Sequence, residues 1–250
     1  DDNFATIVDA VREGRGIFAN IRKFLRYLLS SNMGEVLTVF LGVVLAGVIG
    51  LGGTDGGLVL PLLATQILWI NLVTDSGPAL AMGIDPQTDD LMARRPRRLD
   101  ERVIDARMWS DVLQIGLVMA VVTLLTIDIY LPGGLVAGSQ DIDQARTAGF
   151  TVLVFAQLFN AFNARSSSNS AFRHLFGNRW LWVAVAVATL LQVAVVHLEL
   201  LNTAFGTVPL EPAQWAVCVA MASIVLWYQE LVKLASRLRR PDSIERTTTR

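Results

Sequence analysis

Asn71, Thr74 and Asp75 stand at i, i+3 and i+4 in the run Trp69-Ile70-Asn71-Leu72-Val73-Thr74-Asp75-Ser76-Gly77-Pro78. On a helix that spacing puts their oxygens on one face. The run sits inside an apolar segment from Leu60 to Gly83. A carboxylate so placed costs roughly 2.5 to 3.5 kcal/mol to insert into hydrocarbon, so it reads as functional and needs a partner. A second acid is available in Ser30-Ser31-Asn32-Met33-Gly34-Glu35, where Asn32 and Glu35 are at i, i+3. With the two segments antiparallel and their polar faces together, Asn32, Glu35, Asn71, Thr74 and Asp75 form an all-oxygen cluster with up to two negative charges. Calcium takes about six to eight oxygens at ~2.3 to 2.6 Å, whereas a transition metal draws sulfur or imidazole. The donor set therefore points to Ca2+, Na+, K+ or H+. Gly77-Pro78 is predicted to break the helix just past Asp75 and free carbonyls beside the carboxylate, because proline removes a backbone donor.

The competing reading is that these polar groups only hydrogen-bond helix to helix, at roughly 0.6 kcal/mol each. It suffices for a lone Asn or Thr and not for Glu35 and Asp75 together. Gln157 either completes the cage or knits the bundle, while Asn160 and Asn163 are expected to knit it. Asp111, Asp128, Glu199 and Glu230 lie nearer segment ends and are expected to reach water by snorkelling.

The elements that must hold these residues are membrane helices. Of 250 residues, 53% are hydrophobic and 17% charged, too apolar a balance for an ordinary soluble domain. Six segments are long enough to cross a ~30 Å hydrocarbon core: Tyr27 to Gly50, Leu60 to Gly83, Trp109 to Leu131, Thr147 to Ala164, Trp180 to Leu198 and Ala213 to Leu234. The fourth is the weakest, because three amides interrupt it. All of the 21 Lys and Arg residues except Arg146 fall on one side, so both termini are expected in the cytoplasm. Ahead of the first span, Ile7, Val8, Val11, Ile17, Phe18, Ile21, Phe24 and Leu25 keep a helical stripe, which predicts a stalk helix running unbroken into the membrane; an interfacial amphipathic helix is the alternative.

The outer loops, Leu51 to Val59, Pro132 to Arg146 and Glu199 to Pro212, read as connectors. The inner loop from Ile84 to Arg107 is charged and proline-punctuated, suited to topogenesis or to docking on a cytoplasmic domain. Trp109, Trp180, Trp182 and Trp215 suit an aromatic belt, and His174 and His197 suit interfaces. The single cysteine, Cys218, lies in an apolar run and excludes a disulfide framework. No Gly-rich phosphate loop, Cys/His cluster, nucleophile triad or internal repeat is visible, and nothing points to nucleic acid. The chain opens with neither an initiator Met nor a signal peptide, so a carboxy-terminal piece of something longer is expected.

Asp1 to Val8, Glu13-Gly14-Arg15-Gly16-Ile17-Phe18, Tyr27 to Glu35 and Trp69 to Pro78, in that order, resemble the carboxy-terminal membrane half of the P-type ATPases, most of all the calcium-transporting branch. The resemblance implies an all-α bundle of six transmembrane helices, the last six of ten, with a cytoplasmic stalk. It makes residues 1–26 the end of the phosphorylation domain and the stalk, 27–83 the two spans carrying the site, 84–108 a cytoplasmic loop meeting the phosphorylation domain, 109–235 four anchoring spans and 236–250 a cytoplasmic tail. Asn32, Glu35, Asn71, Thr74 and Asp75 fall on the family's cation-ligand positions, with Asp75 shared between two sites. Gln157 stands where the sarcoplasmic reticulum type carries a glutamate, and the plasma-membrane pumps look similar there, which leaves one or two ions per cycle open. The phosphorylated aspartate, the nucleotide domain that uses ATP and Mg2+, the dephosphorylation loop and an earlier glutamate-bearing helix would all lie upstream, so this polypeptide alone is not expected to hydrolyse ATP.

The implied activity is export of Ca2+ against protons. Na+ or Mn2+ transport, a passive channel and a non-catalytic membrane module are the alternatives. The implied partners are the lipid bilayer and the upstream half of the pump. The Ala/Val-rich composition suggests a bacterial plasma membrane.

Overall fold

The computed structural model describes residues 4–51, 59–86, 92, 103–136, 138–166, 170–172 and 175–238. The first three residues, most of the inner loop including Asp89, Asp90 and Arg94 to Arg98, His174, and the tail beyond Leu238 lie outside the described residues.

The described residues form helices and turns with no strand, as expected of an all-α bundle. Helix α1 runs Phe4–Val44 without interruption, so the stalk and the first span are one rod. It ends earlier than the predicted Gly50, in turns that close on Gly50 at φ +74°, a left-handed conformation suited to glycine. Four further long helices follow: α4 Ala106–Tyr130, α5 Ile142–Ala164, α6 Arg179–His197 and α8 Pro212–Leu238, with the short α2 Ala64–Trp69 and α3 Ser76–Gly83 before α4 and the short α7 Glu199–Phe205 before α8. The starts of α4, α5 and α6 are capped by side-chain oxygens of Asp105, Asp141 and Asn178, which accept the N–H of Met108 at 2.7 Å, Gln144 at 2.8 Å and Leu181 at 3.0 Å.

Two corrections concern the second predicted span. Among the described residues five helices, not six, are long and apolar enough to cross a membrane, because the stretch from Leu60 to Gly83 is divided into α2 and α3 by a π-helical turn, Ile70–Thr74. The break is also upstream of Gly77-Pro78. Pro78 lies in the first turn of α3, where a missing N–H is tolerated. The discontinuity is the i→i+5 bond from Asp75 N–H to Ile70 C=O at 2.9 Å.

Helix α5, the weakest span on sequence, is the most enclosed. Phe150, Val152, Leu153, Val154 and Ala156 are each 0% exposed, and α5 touches α1, α4, α6 and α8. Its amides lower its hydropathy but face other helices, not lipid. It begins at Ile142, ahead of the predicted Thr147, because Asp141 caps it. Helices α1 and α4 approach closely where glycines oppose methionines: a Cβ on Gly116 would lie 2.7 Å from Met33 Cγ, and one on Gly34 2.9 Å from Met119 Sδ.

The span-end acids divide. Glu199 is exposed as expected. Asp128 does not snorkel: it is 0% exposed and accepts the N–H groups of Leu135 at 2.8 Å and Val136 at 2.9 Å, since the chain after α4 folds back over it. Glu230 accepts the N–H of Ala171 at 2.8 Å and pairs with Lys233 at 3.4 Å. Cys218 is buried and free. Trp109 and Trp180 are exposed, as an aromatic belt requires, while the indole of Trp215 stacks on His197 and donates to its Nε2 at 3.1 Å.

Candidate cation-binding site

Glu35 on α1 is the centre of the polar cluster. It is 3% exposed, and each carboxylate oxygen accepts one amide: Asn71 Nδ2 at 2.6 Å on Oε2 and Gln157 Nε2 at 2.9 Å on Oε1. Three elements therefore meet at one side chain: α1, the π turn and α5. Asp75, 1% exposed, sits where the π turn hands over to α3. Its Oδ1 accepts the hydroxyl of Tyr27 at 2.8 Å, and its Oδ2 has no partner. Thr74, 1% exposed, is beside it, and Pro78 leaves the Thr74 carbonyl without its helical donor.

Further acceptors point the same way. Gln157 Oε1 and Asn160 Oδ1 are buried without partners. Buried oxygens left unpaired are costly unless something occupies the space between them. Gln157, whose Nε2 donates to Glu35, thereby adds an oxygen next to that carboxylate, a donor set of oxygens only, suited to a hard cation. Among the described residues no three His, Cys, Asp or Glu side chains cluster, so amides and hydroxyls must complete any coordination shell.

Of the six residues singled out from sequence, Glu35, Asn71 and Gln157 are joined directly, with Thr74 and Asp75 on the adjoining turn. Asn32 is not brought in: it is exposed and donates to its own helix, at Leu28 C=O, 2.9 Å. Residues at i and i+3 are about 60° apart around a helix. Glu35 faces α5, and Asn32 is turned past the edge. Asn160 and Asn163 knit the bundle as expected, through Ser30 Oγ at 2.8 Å and Val225 C=O at 3.3 Å. Tyr27 was missed: it is 0% exposed and donates to Asp75, and an aromatic residue about 80° round the helix from Glu35 carries no sequence pattern that marks it as part of the cluster.

The near end of α3 is anchored by Asp85, whose side chain is 0% exposed. It pairs with Lys23 at 2.6 Å and Arg165 at 3.1 Å and accepts Asn178 Nδ2 at 2.9 Å. Asn20 donates to Gly83 C=O at 3.2 Å and Asp85 C=O at 2.9 Å. Close by, Arg22 bridges to Asp105 at 2.7 Å. The Met108 N–H, followed by Arg22, holds the Asp105 carboxyl below the usual carboxylate range.

A multi-pass helical bundle with one buried carboxylate on an unbroken helix and a second on a broken span defines a membrane protein of the ion-handling kind. The chain matches the family described as "Cation transporting ATPase, C-terminus" over residues 59–235 and belongs to it. It is 39% identical to a calcium-transporting ATPase of Bacillus subtilis across 90% of its own length and 24% of the relative's. It is 33% identical to the endoplasmic reticulum calcium ATPase srcA of Aspergillus fumigatus, across 95% of the chain and 26% of the relative. An endoplasmic reticulum-type calcium-transporting ATPase of Arabidopsis thaliana is 32% identical, with 95% and 26% covered. The chain thus spans about a quarter of the length of these relatives.

Proposed function

We propose that this chain is the ion-binding and anchoring part of an ATP-driven pump that exports Ca2+ from the cytoplasm. The observation that carries the reading is Asp75 Oδ2, buried and unpartnered on a π turn whose neighbouring Asn71 holds Glu35. Glu35, Asn71, Thr74, Asp75 and Gln157 bind the ion, and the Thr74 carbonyl adds a backbone oxygen. Phosphorylation in upstream domains, which use ATP and Mg2+, tilts α1. Because α1 carries Glu35 and Tyr27, that tilt changes their packing against Asp75 and withdraws ligands from the ion. Protons then occupy the carboxylates, since two neighbouring buried acids do not both stay charged once the ion has left. Residues 1–26 form the stalk, 27–83 the ion-carrying spans, 84–108 the loop toward the phosphorylation domain, 109–235 the anchor and 236–250 the tail. The protein sits in the plasma membrane with both ends cytoplasmic, the side on which the basic residues collect.

The test is ion-stimulated ATP hydrolysis by the full-length protein in lipid, with Ca2+, Mn2+ and Na+ titrated separately. Stimulation by micromolar Ca2+ that disappears in Asp75→Asn is the expected result. Stimulation by another ion alone, or indifference to Asp75→Asn, overturns the assignment.

A further inference from the structure

The two halves of the broken span are fastened to different parts of the molecule. Helix α3 is tied to α1 through Asn20, Lys23 and Asp85. Helix α2, at the other end, is tied to α7, and the segment leading into it to α5. Gln66, 0% exposed, uses both ends of its amide. Its Oε1 accepts the Leu63 N–H at 3.1 Å, capping α2, and its Nε2 donates to Phe205 C=O at 3.1 Å. Trp69 packs edge-on against Phe205 with ring centres 4.9 Å apart. Gly206, at φ +59°, lets the chain turn against Leu63, where a Cβ would lie 2.6 Å from Leu63 Cδ1. Arg146 on α5 donates to Leu60 C=O at 3.3 Å. The far end of α1 meets the same strap, where a Cβ on Gly42 would lie 2.5 Å from Pro61 Cγ. A tilt of α1 therefore turns about that end and displaces the α3 end most.

We propose that Gln66 and the Phe205-Gly206 turn clamp α2 in place, so that movement of α1 is concentrated in the Ile70–Thr74 turn and reaches the ion. Gln66 is then a positioning residue for ion release, and the inference rests on the pump reading above. The wide turn is the compliant joint: its i→i+5 bond is the only helical bond holding the Asp75 N–H, and Pro78 supplies no donor to the Thr74 carbonyl. With α2 free, the whole span would slide after α1 and the oxygens of Asn71, Thr74 and Asp75 would keep their arrangement. With α2 held, the same displacement separates them.

The experiment measures ions moved per ATP hydrolysed by the full-length protein in sealed vesicles. In Gln66→Met, ion-stimulated hydrolysis persists while the ratio falls by roughly twofold or more, as expected where a buried hydrogen bond is lost. Gly206→Ala, which strains the turn against Leu63, lowers the ratio in the same direction and decides the question if Gln66→Met does not fold. Gln66→Glu keeps the acceptor and, protonated, the donor, and restores the wild-type ratio. An unchanged ratio, or transport and hydrolysis falling in proportion, overturns the clamp alone. Wild-type protein that no hard cation stimulates overturns the pump reading and the clamp with it.

Discussion

Asp75 and Glu35 are both buried acids, yet the bundle equips them differently. Glu35 has an amide on each oxygen, whereas Asp75 keeps one oxygen free and hands the other to a tyrosine. On the proposed reading, the unsatisfied Asp75 is the stronger ion ligand and Glu35 the residue whose partners set its orientation. Gln157 is one of those partners. Gln157→Leu strips a donor from a buried carboxylate, a loss of about 1 to 3 kcal/mol, and is expected to weaken ion activation by roughly tenfold. Asn163→Leu removes an amide that donates to α8 at Val225 C=O, and is expected to lower thermal stability in detergent while leaving the activating ion concentration unchanged. Titrating both variants in one hydrolysis assay separates the two roles.

At the scale of elements, what matters is how α1 is coupled to its neighbours. Asp85 compensates two cations from α1 and α5 inside the protein. Asp85→Asn removes the buried carboxylate that pairs with Lys23 and Arg165, and breaking a buried pair in this way costs roughly 3 to 5 kcal/mol. A marked drop in thermal unfolding midpoint is expected, together with loosening of α3. The cap of α4 behaves differently, because Asp105 is largely exposed. Asp105→Ala is expected to cost about 1 kcal/mol at neutral pH. The pH dependence follows from the sign of the shift. The folded state holds the Asp105 proton less tightly than the unfolded chain, so its contribution is complete above the unfolded value and is lost as pH falls through the lower folded one. Melting curves of wild type and Asp105→Ala should therefore differ at pH 7 and converge in acid, below about pH 4.

For the whole molecule, the decisive property is orientation. The sequence assigns every Lys and Arg except Arg146 to the side of the α1 stalk, and on that reading Glu211 faces outward and Ala235 inward. Both positions are exposed and Cys218 is buried, so single cysteines can be read without background. In intact cells an impermeant maleimide should label Glu211→Cys, and should reach Ala235→Cys only after permeabilisation. The reverse pattern would invert the bundle and put the proposed export in the wrong direction.

Much of this protein was legible in its sequence. Long apolar runs must be helical in lipid because no water is there to satisfy the backbone. A carboxylate in such a run is too costly to be incidental, so Glu35 and Asp75 stood out without coordinates, as did the rod from stalk to first span. Tertiary structure alone decided the rest. Periodicity shows which residues share a face of their own helix, not which way that face turns in the bundle: Asn32 is turned outward, whereas Gln157 points at Glu35. The π turn at Ile70–Thr74 was equally hidden, because proline marks where a helix is weak, whereas packing of α2 against α7 and of α3 against α1 sets where it opens. Nothing in the sequence marks Gln66, and Asp128 reads as an ordinary span-end acid. Their partners are backbone groups of loops folded back over them, a pairing that exists only once the bundle has closed.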